Sequence, residues 1–244
     1  MTIAFAAKLT DPGPRVVLRS GEGDRQVSWG HPWQIGTAAY WVEATREAFG
    51  EPRQAGVHRL GETLEEELAA CIIGGFGMPF ETGLAAYSAL RTEVLHHVAS
   101  PTQEEIEAVL RRPLLVNGSH RRYRFPAQRA RRLASALAFV RDTDCNSMSN
   151  REMREWLLGA PGVGMKTASW VVRNIRAADD LAVLDIHVMR AGIRAGVFPE
   201  DFSPQRNYRV LEGWFVEWAR IGGVSPADLD AYIWRDQAYW VRNR

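Results

Sequence analysis

Leu158-Gly159-Ala160-Pro161-Gly162-Val163-Gly164-Met165-Lys166-Thr167-Ala168 links two short helical patterns through a Pro-Gly-Val-Gly turn. Upstream, Ser149 and Glu152 have capping-box spacing, and Met153, Trp156 and Leu157 follow at helical intervals. Downstream, a second periodic run extends from about Gly164 to Arg176 and is broken by Asp179-Asp180. The stretch therefore predicts a compact helix–hairpin–helix. Gly162 and Gly164 permit backbone conformations closed to other residues and let a ligand approach the main chain. The first N–H groups of the second helix lack intrahelical acceptors and sit at the positive end of its dipole. The turn residues Gly162, Val163 and Gly164 thus predict an anion site, with a DNA phosphate as its natural occupant.

Lys166 lies in the first turn of that second helix. The chain has only two lysines, Lys8 and Lys166, so 28 of its 30 basic residues are arginine. A guanidinium never deprotonates in proteins and cannot serve as a nucleophile, whereas an amine can. The positive potential of the helix terminus favours the neutral amine, the form that attacks carbon. Asp185, nineteen residues downstream, reads as the N-cap of a helix through Val188, Met189 and Ile193. Its carboxylate suits proton transfer or stabilisation of an oxocarbenium ion, as in glycoside hydrolysis. Taken singly, Lys166 also reads as a surface lysine and Asp185 as a plain cap; the pairing is far more specific than either. A glycosidic bond in duplex DNA is reached by flipping out a nucleotide, which calls for a wedge to fill the gap.

Composition narrows the field. Hydrophobic residues make up 46% of the 244, charged residues 24%, and the net charge is +1. Charge is uneven, however: residues 111 to 132 contain eight arginines and no Asp or Glu. Such a stripe is an electrostatic footprint for phosphate, with Arg122 and Arg129 as candidate contacts, or else a solvated helix face. The two cysteines, Cys71 and Cys145, are too few for a four-cysteine cluster and read as buried free thiols. No cofactor is expected, apart from a monovalent or divalent cation at the hairpin backbone. With no signal-like segment and no run near the ~18 apolar residues of a membrane span, the expectation is a cytoplasmic, nucleoid-associated monomer.

Along the chain, residues 1–30 suggest a loose arm or small hairpin, with a β-like run at Val16-Val17-Leu18. Helices are expected from Thr37 to Gly50, from a Thr63 cap with Glu66 in reciprocal position, over 81–98 and over 102–112. Another begins at Pro126, with Ala130, Leu133, Ala134, Leu137 and Ala138 inward and the arginines outward. Three more stretches are expected near 204–220, 226–241 and the end. No strand-rich region or repeat is visible, and the fold class is all-α.

The hairpin, followed by Val183-Leu184-Asp185-Ile186-His187-Val188, resembles the helix–hairpin–helix DNA glycosylases in their lysine-bearing, bifunctional glycosylase/AP lyase form. The resemblance implies two α-helical subdomains with the motif at the cleft: a central one over 60–179, and a second from 31–59 plus 180–244. It implies that Lys166 attacks C1′ of a damaged nucleoside in double-stranded DNA while Asp185 assists departure of the base. Arg124-Phe125-Pro126 and Leu229-Asp230 with Tyr232 and Trp234 are similar to the compact archaeal-type 8-oxoguanine enzymes. That branch points to Trp234 and the terminal residue, here Arg244 where a lysine is typical, as the base pocket. His187, two residues after Asp185, reads as a phosphate contact or a helix cap.

The loop Phe76-Gly77-Met78-Pro79-Phe80 offers Met78 and Phe80 as wedge candidates, with core packing as the other reading. Trp234 likewise either stacks on a base or packs between helices. The same chemistry on another modified base, a glycosylase without lyase activity and a non-enzymatic DNA-binding protein all stand as alternatives. The binding protein gives no reason to keep Lys166 with Asp185.

Overall fold

Capping and apolar periodicity set the helices of this chain, seen here in a computed structural model that describes residues 11–50, 58–75, 77–141 and 143–242, the last five by backbone alone. Helices α1 (Ala38–Phe49), α2 (Leu64–Ile73), α3 (Phe80–Leu90), α4 (Gln103–Arg111), α5 (Pro126–Val140), α6 (Asn150–Leu157), α7 (Met165–Arg176), α8 (Ile186–Arg194), α9 (Pro204–Gly222) and α10 (Pro226–Arg242) carry the fold. Strands β1 (Arg15–Leu18) and β2 (Arg25–Ser28) form one antiparallel hairpin, and β3 (Leu114–Val116) and β4 (Ser119–Arg121) a second. The all-α class is as read from the sequence. The second hairpin is a correction, because it falls inside the arginine stripe. It turns at Asn117-Gly118, both with positive φ (49° and 75°), the two-residue turn that matches strand twist.

The chain divides into two compact units: a terminal unit of Met1–Ala55 with Asp179–Arg244, and a central unit of Gly56–Ala178. In the terminal unit α10 packs on α1 and α8, and α9 on α1 and β1. Its core holds Trp41, Phe198, Phe215 and Trp218, with the Trp218 indole N–H donating to Ala38 O at 3.1 Å. Leu18 and Val27 tie the first hairpin into that core. Among the described residues two helices follow residue 200, α9 and α10, rather than the three expected.

In the central unit α2 is the axis. Its residues from Glu66 to Ile73 are all buried, against α3, α5 and α7. Burial of Leu68, Ile72 and Ile73 stabilises by about 1.5–3 kcal/mol per side chain. Glu67 opposes this unless its charge is met. It accepts from Leu60 N–H at 2.7 Å, Gly61 N–H at 2.8 Å and the Asn174 amide at 2.7 Å. The Asn174 bond sets α7 against α2. Ser149 and Thr102 form full capping boxes with Glu152 and Glu105. Thr63 caps α2, but Glu66 turns instead to Glu62 N–H, Arg91 and His96, so the expected reciprocal bond is not made. Cys71 is buried and Cys145 half-buried, both as free thiols. Among the described residues no helix is long and apolar enough to cross a membrane.

Candidate active site

The hairpin is built by short-range bonds. Val163 N–H donates to Ala160 O at 3.1 Å and its side chain is buried, so Val163 pins the turn. This corrects its place among the anion donors. The two glycines also differ. Gly162 has φ +83°, and a β-carbon there would stand 2.7 Å from Arg132 Cγ. Gly164 is extended, with φ −106° and ψ 176°, and a β-carbon there would meet nothing within 4 Å. Gly164 is therefore not demanded by backbone strain. It leaves the helix terminus bare: α7 has no side-chain cap, and its first closed bond runs from Ala168 N–H to Gly164 O at 2.9 Å.

Lys166 opens from this terminus onto a cavity of about 420 Å³ lined by Gly75, Phe125, Gln128, Arg129, Arg132, Gly162, Lys166, Thr167 and Trp170. Among the described residues three cations and no carboxylate line it, a potential that favours an anion. The Lys166 ammonium lies 5.6 Å from the ring centre of Trp170, one helical turn on. An indole face attracts an ammonium, so Trp170 holds the amine at the cavity wall. Phe125, at the N-cap of α5, is 40% exposed and lies beside Gly77.

Arg129 is a correction. It is 8% exposed rather than outward, and its guanidinium donates to Ile72 O at 2.9 Å. Burial holds it below the ordinary arginine value. The Tyr123 hydroxyl donates to Ile73 O at 2.6 Å, and burial pushes that phenol upward. The pair adds side-chain donors to carbonyls at the end of α2, where Ile72 O also accepts from Gly75 N–H at 3.3 Å. Arg129 is thus largely buried and shapes the cavity wall. Within the stripe, Arg111 and Arg112 pair with Glu107 and Glu93, while Arg121, Arg122 and Arg131 are exposed. On α5, Ala138 is exposed and Ala136 is buried in its stead.

Asp185 belongs to the terminal unit. Its Oδ1 accepts from His187 N–H at 2.8 Å and Val188 N–H at 2.9 Å, capping α8. Oδ2 takes no part in that cap. The segment before it is held by α9. Tyr208 Oη donates to Ala182 O at 2.9 Å and accepts from Leu184 N–H at 3.3 Å, and Glu212 accepts from Ala182 N–H at 3.1 Å. Tyr208 and Glu212 were not singled out from sequence; their i, i+4 spacing on an otherwise apolar face was the available signal. His187 is half-buried, and its Nδ1 is closed to solvent without a hydrogen-bond partner among the described residues.

Trp234 is half-buried on α10, and Arg244 lies outside the described residues. Met78 is half-buried, with Cγ 3.5 Å from the β-carbon position of Gly83, and Phe80 is 42% exposed at the start of α3. The cavity beside Lys166 instead has Phe125 and Trp170 as its aromatic walls.

An all-α chain with this hairpin and its lysine has the architecture of the helix–hairpin–helix glycosylase superfamily. The 8-oxoguanine DNA glycosylase family model matches residues 47–222, and the chain belongs to that family. The 8-oxoguanine DNA glycosylase/AP lyase of Thermotoga petrophila is 38% identical over 87 residues, covering 34% of this chain and 41% of that protein. The match thus spans about two fifths of that curated relative's length. The 8-oxoguanine DNA glycosylase of Thermotoga maritima superposes with a TM-score of 0.54 at 24% identity, over 81% of this chain and 86% of that one. The Methanocaldococcus jannaschii 8-oxoguanine glycosylase/lyase, in complex with DNA containing 8-oxoguanine, gives 0.54 at 21% identity, over 81% and 87%.

Proposed function

We propose that this chain is a bifunctional DNA glycosylase/AP lyase that removes 8-oxoguanine from double-stranded DNA, acting as a monomer. The observation that carries the reading is Lys166: one of two lysines, set behind an uncapped helix terminus and opening onto a cation-lined cavity without carboxylates.

In this reading the α7 terminus at Gly164 holds a backbone phosphate, with Arg122 adding attraction that carries no sequence information. Neutral Lys166 Nζ attacks C1′, the C1′–N bond breaks, and the base leaves with the electron pair and takes a proton. Asp185 Oδ2 stabilises the positive charge that develops at C1′. The sugar ring opens as O4′ is protonated, giving the protonated imine. Loss of a C2′ proton then expels the 3′ phosphate, and water hydrolyses the imine to free the lysine. An amine and a carboxylate suffice for these steps, so no cofactor is invoked. Phe125, exposed at the cavity mouth, fits a wedge better than Met78, which packs on Gly83.

Borohydride reduction tests the reading directly. A duplex with 8-oxoguanine opposite C should yield a covalent adduct, lost in Lys166→Gln while the thermal midpoint holds. Absence of adduct with both 8-oxoguanine and abasic duplexes would overturn the mechanism. An adduct with abasic DNA alone would keep the lyase and reject 8-oxoguanine as the base.

A further inference from the structure

Residues 11–36 precede the family-matched region yet are built firmly into the terminal unit. Trp214 donates its indole N–H to Gly23 O at 2.8 Å, and Arg25 reaches Gly196 O at 3.1 Å. The following loop is fixed from within. His31 N–H donates to Gln34 Oε1 at 2.8 Å, Gln34 Nε2 to Asp11 O at 2.8 Å, and Thr37 Oγ1 to Gln34 O at 2.9 Å. His31 also stacks flat on Trp33, with ring centres 4.5 Å apart and planes 6° off parallel.

This ordered loop leaves its largest apolar side chains in water, Trp33 at 61% exposure and Ile35 at 70%. A lone exposed hydrophobic residue needs no explanation, but a pre-stacked indole on a loop already fixed in place is a prepared surface. Its neighbour is cationic. Gly36, at φ +90°, lies against the Arg194 side chain, whose Nε is 2.5 Å from the β-carbon position. Ile186, Arg190 and Arg194 are all exposed and recur every four residues along α8. That stripe starts one residue after Asp185 and meets the loop at Arg194, nine residues and about 13.5 Å from Asp185 at a rise of 1.5 Å per residue. The distance equals about four base-pair steps of duplex DNA.

We infer that this surface binds the duplex flanking the damaged nucleotide. Arg190 and Arg194 take phosphates, and Trp33 and Ile35 lie against sugars and base edges in the groove. Alternating cations and apolar groups match nucleic acid, and the stripe is continuous with the carboxylate placed at the reaction centre. The assignment to flanking duplex rests on that reading of Asp185.

The test is the double variant Trp33→Ala/Ile35→Ala, whose positions are exposed and leave the core intact. Affinity is measured on a long undamaged duplex, a long duplex with a non-reactive abasic analogue, and that analogue with its flanks cut to about two base pairs a side, too short to reach the loop. Both long duplexes should lose about tenfold in affinity and the short one should be unchanged. Saturated borohydride trapping should keep its rate. Wild-type affinity on the long duplexes, or an equal loss on all three, would overturn the inference. So would a dimer in sedimentation that the double variant dissolves, since the surface would then cover a second copy. Because the undamaged duplex reports binding without chemistry, absence of trapping would refute the proposed activity and leave the flank contact standing or falling on its own result.

Discussion

Exchanging each hairpin glycine for alanine separates what the turn does for the fold from what it does for DNA. Gly162 has φ +83°, and its β-carbon would press on the stem of Arg132 at 2.7 Å. An L residue in the left-handed region costs about 1–2 kcal/mol, and the Arg132 contact adds to it. The gain from stiffening the unfolded chain, about 0.4–1 kcal/mol, offsets only part. Gly162→Ala should thus destabilise by about 1–2 kcal/mol, lowering the thermal midpoint by about 2–8 °C at 2–4 °C per kcal/mol. Gly164 is extended with open space around it. There the modest loss of a glycine N-cap and the unfolded-state gain nearly cancel, so Gly164→Ala should stay within about 0.5 kcal/mol of wild type.

Binding should reverse the order of stability effects. A methyl at Gly164 stands where a phosphate would approach the α7 N–H groups. Gly164→Ala should weaken damaged and undamaged duplex alike by about tenfold and lower the salt slope by about one, because a phosphate contact carries no sequence information. Differential scanning calorimetry and anisotropy titration over a salt series supply the two readouts. Wild-type affinity and salt slope in a well-folded Gly164→Ala would refute the hairpin as a phosphate site, and an unchanged midpoint in Gly162→Ala would refute the strain argument.

Tyr208→Phe removes the hydroxyl that links Ala182 O and Leu184 N–H. Two buried backbone groups lose their partner, which should cost about 2–4 kcal/mol. Single-turnover base release should slow more than duplex binding weakens; unaltered release would show that this anchor does not place Asp185. Glu152 is held below the usual carboxylate range chiefly by the Ser149 backbone N–H, then by its hydroxyl. A lowered carboxylate contributes stability above its unfolded range and loses it as pH falls through the folded value. The midpoint gap between wild type and Glu152→Gln should therefore be widest at neutral pH and narrow as pH falls below the ordinary glutamate range, whereas a pH-independent gap would contradict the cap assignment.

What the sequence makes legible follows the reach of each interaction. Caps are read within four residues, so Thr37, Thr102, Ser149 and Asp185 begin their helices as expected. Glu66 stands at the same spacing, but partners at Arg91 and His96 claim its carboxylate, and no local rule weighs them. Asn117-Gly118 signals a hairpin locally, yet the surrounding arginines suggest a charged helix face and draw attention from it. Arg129 is more instructive. It shares the i, i+4, i+8 stripe with Leu133 and Leu137, which marks it as inward once periodicity is preferred to residue type. Its acceptor at Ile72, 57 residues upstream, comes only with the fold.

The lysine and its cavity divide along the same line. Lys166 stands out by rarity and by its place behind two glycines, both visible in one short stretch. Trp170 is its i+4 neighbour on the same helix, but a helical tryptophan reads first as a core residue. The remaining walls come from Gly75 and from the residues between Phe125 and Arg132. These segments meet only because Asn174 and Glu67 fix α7 on α2 while Arg129 and Tyr123 close the end of α2. The candidate lysine can be picked out from eleven residues, but the shape of the space it faces depends on buried polar bonds spanning 50 to 107 positions of chain. Changes in that buried shell can therefore alter what the lysine meets without touching the signature that identifies it.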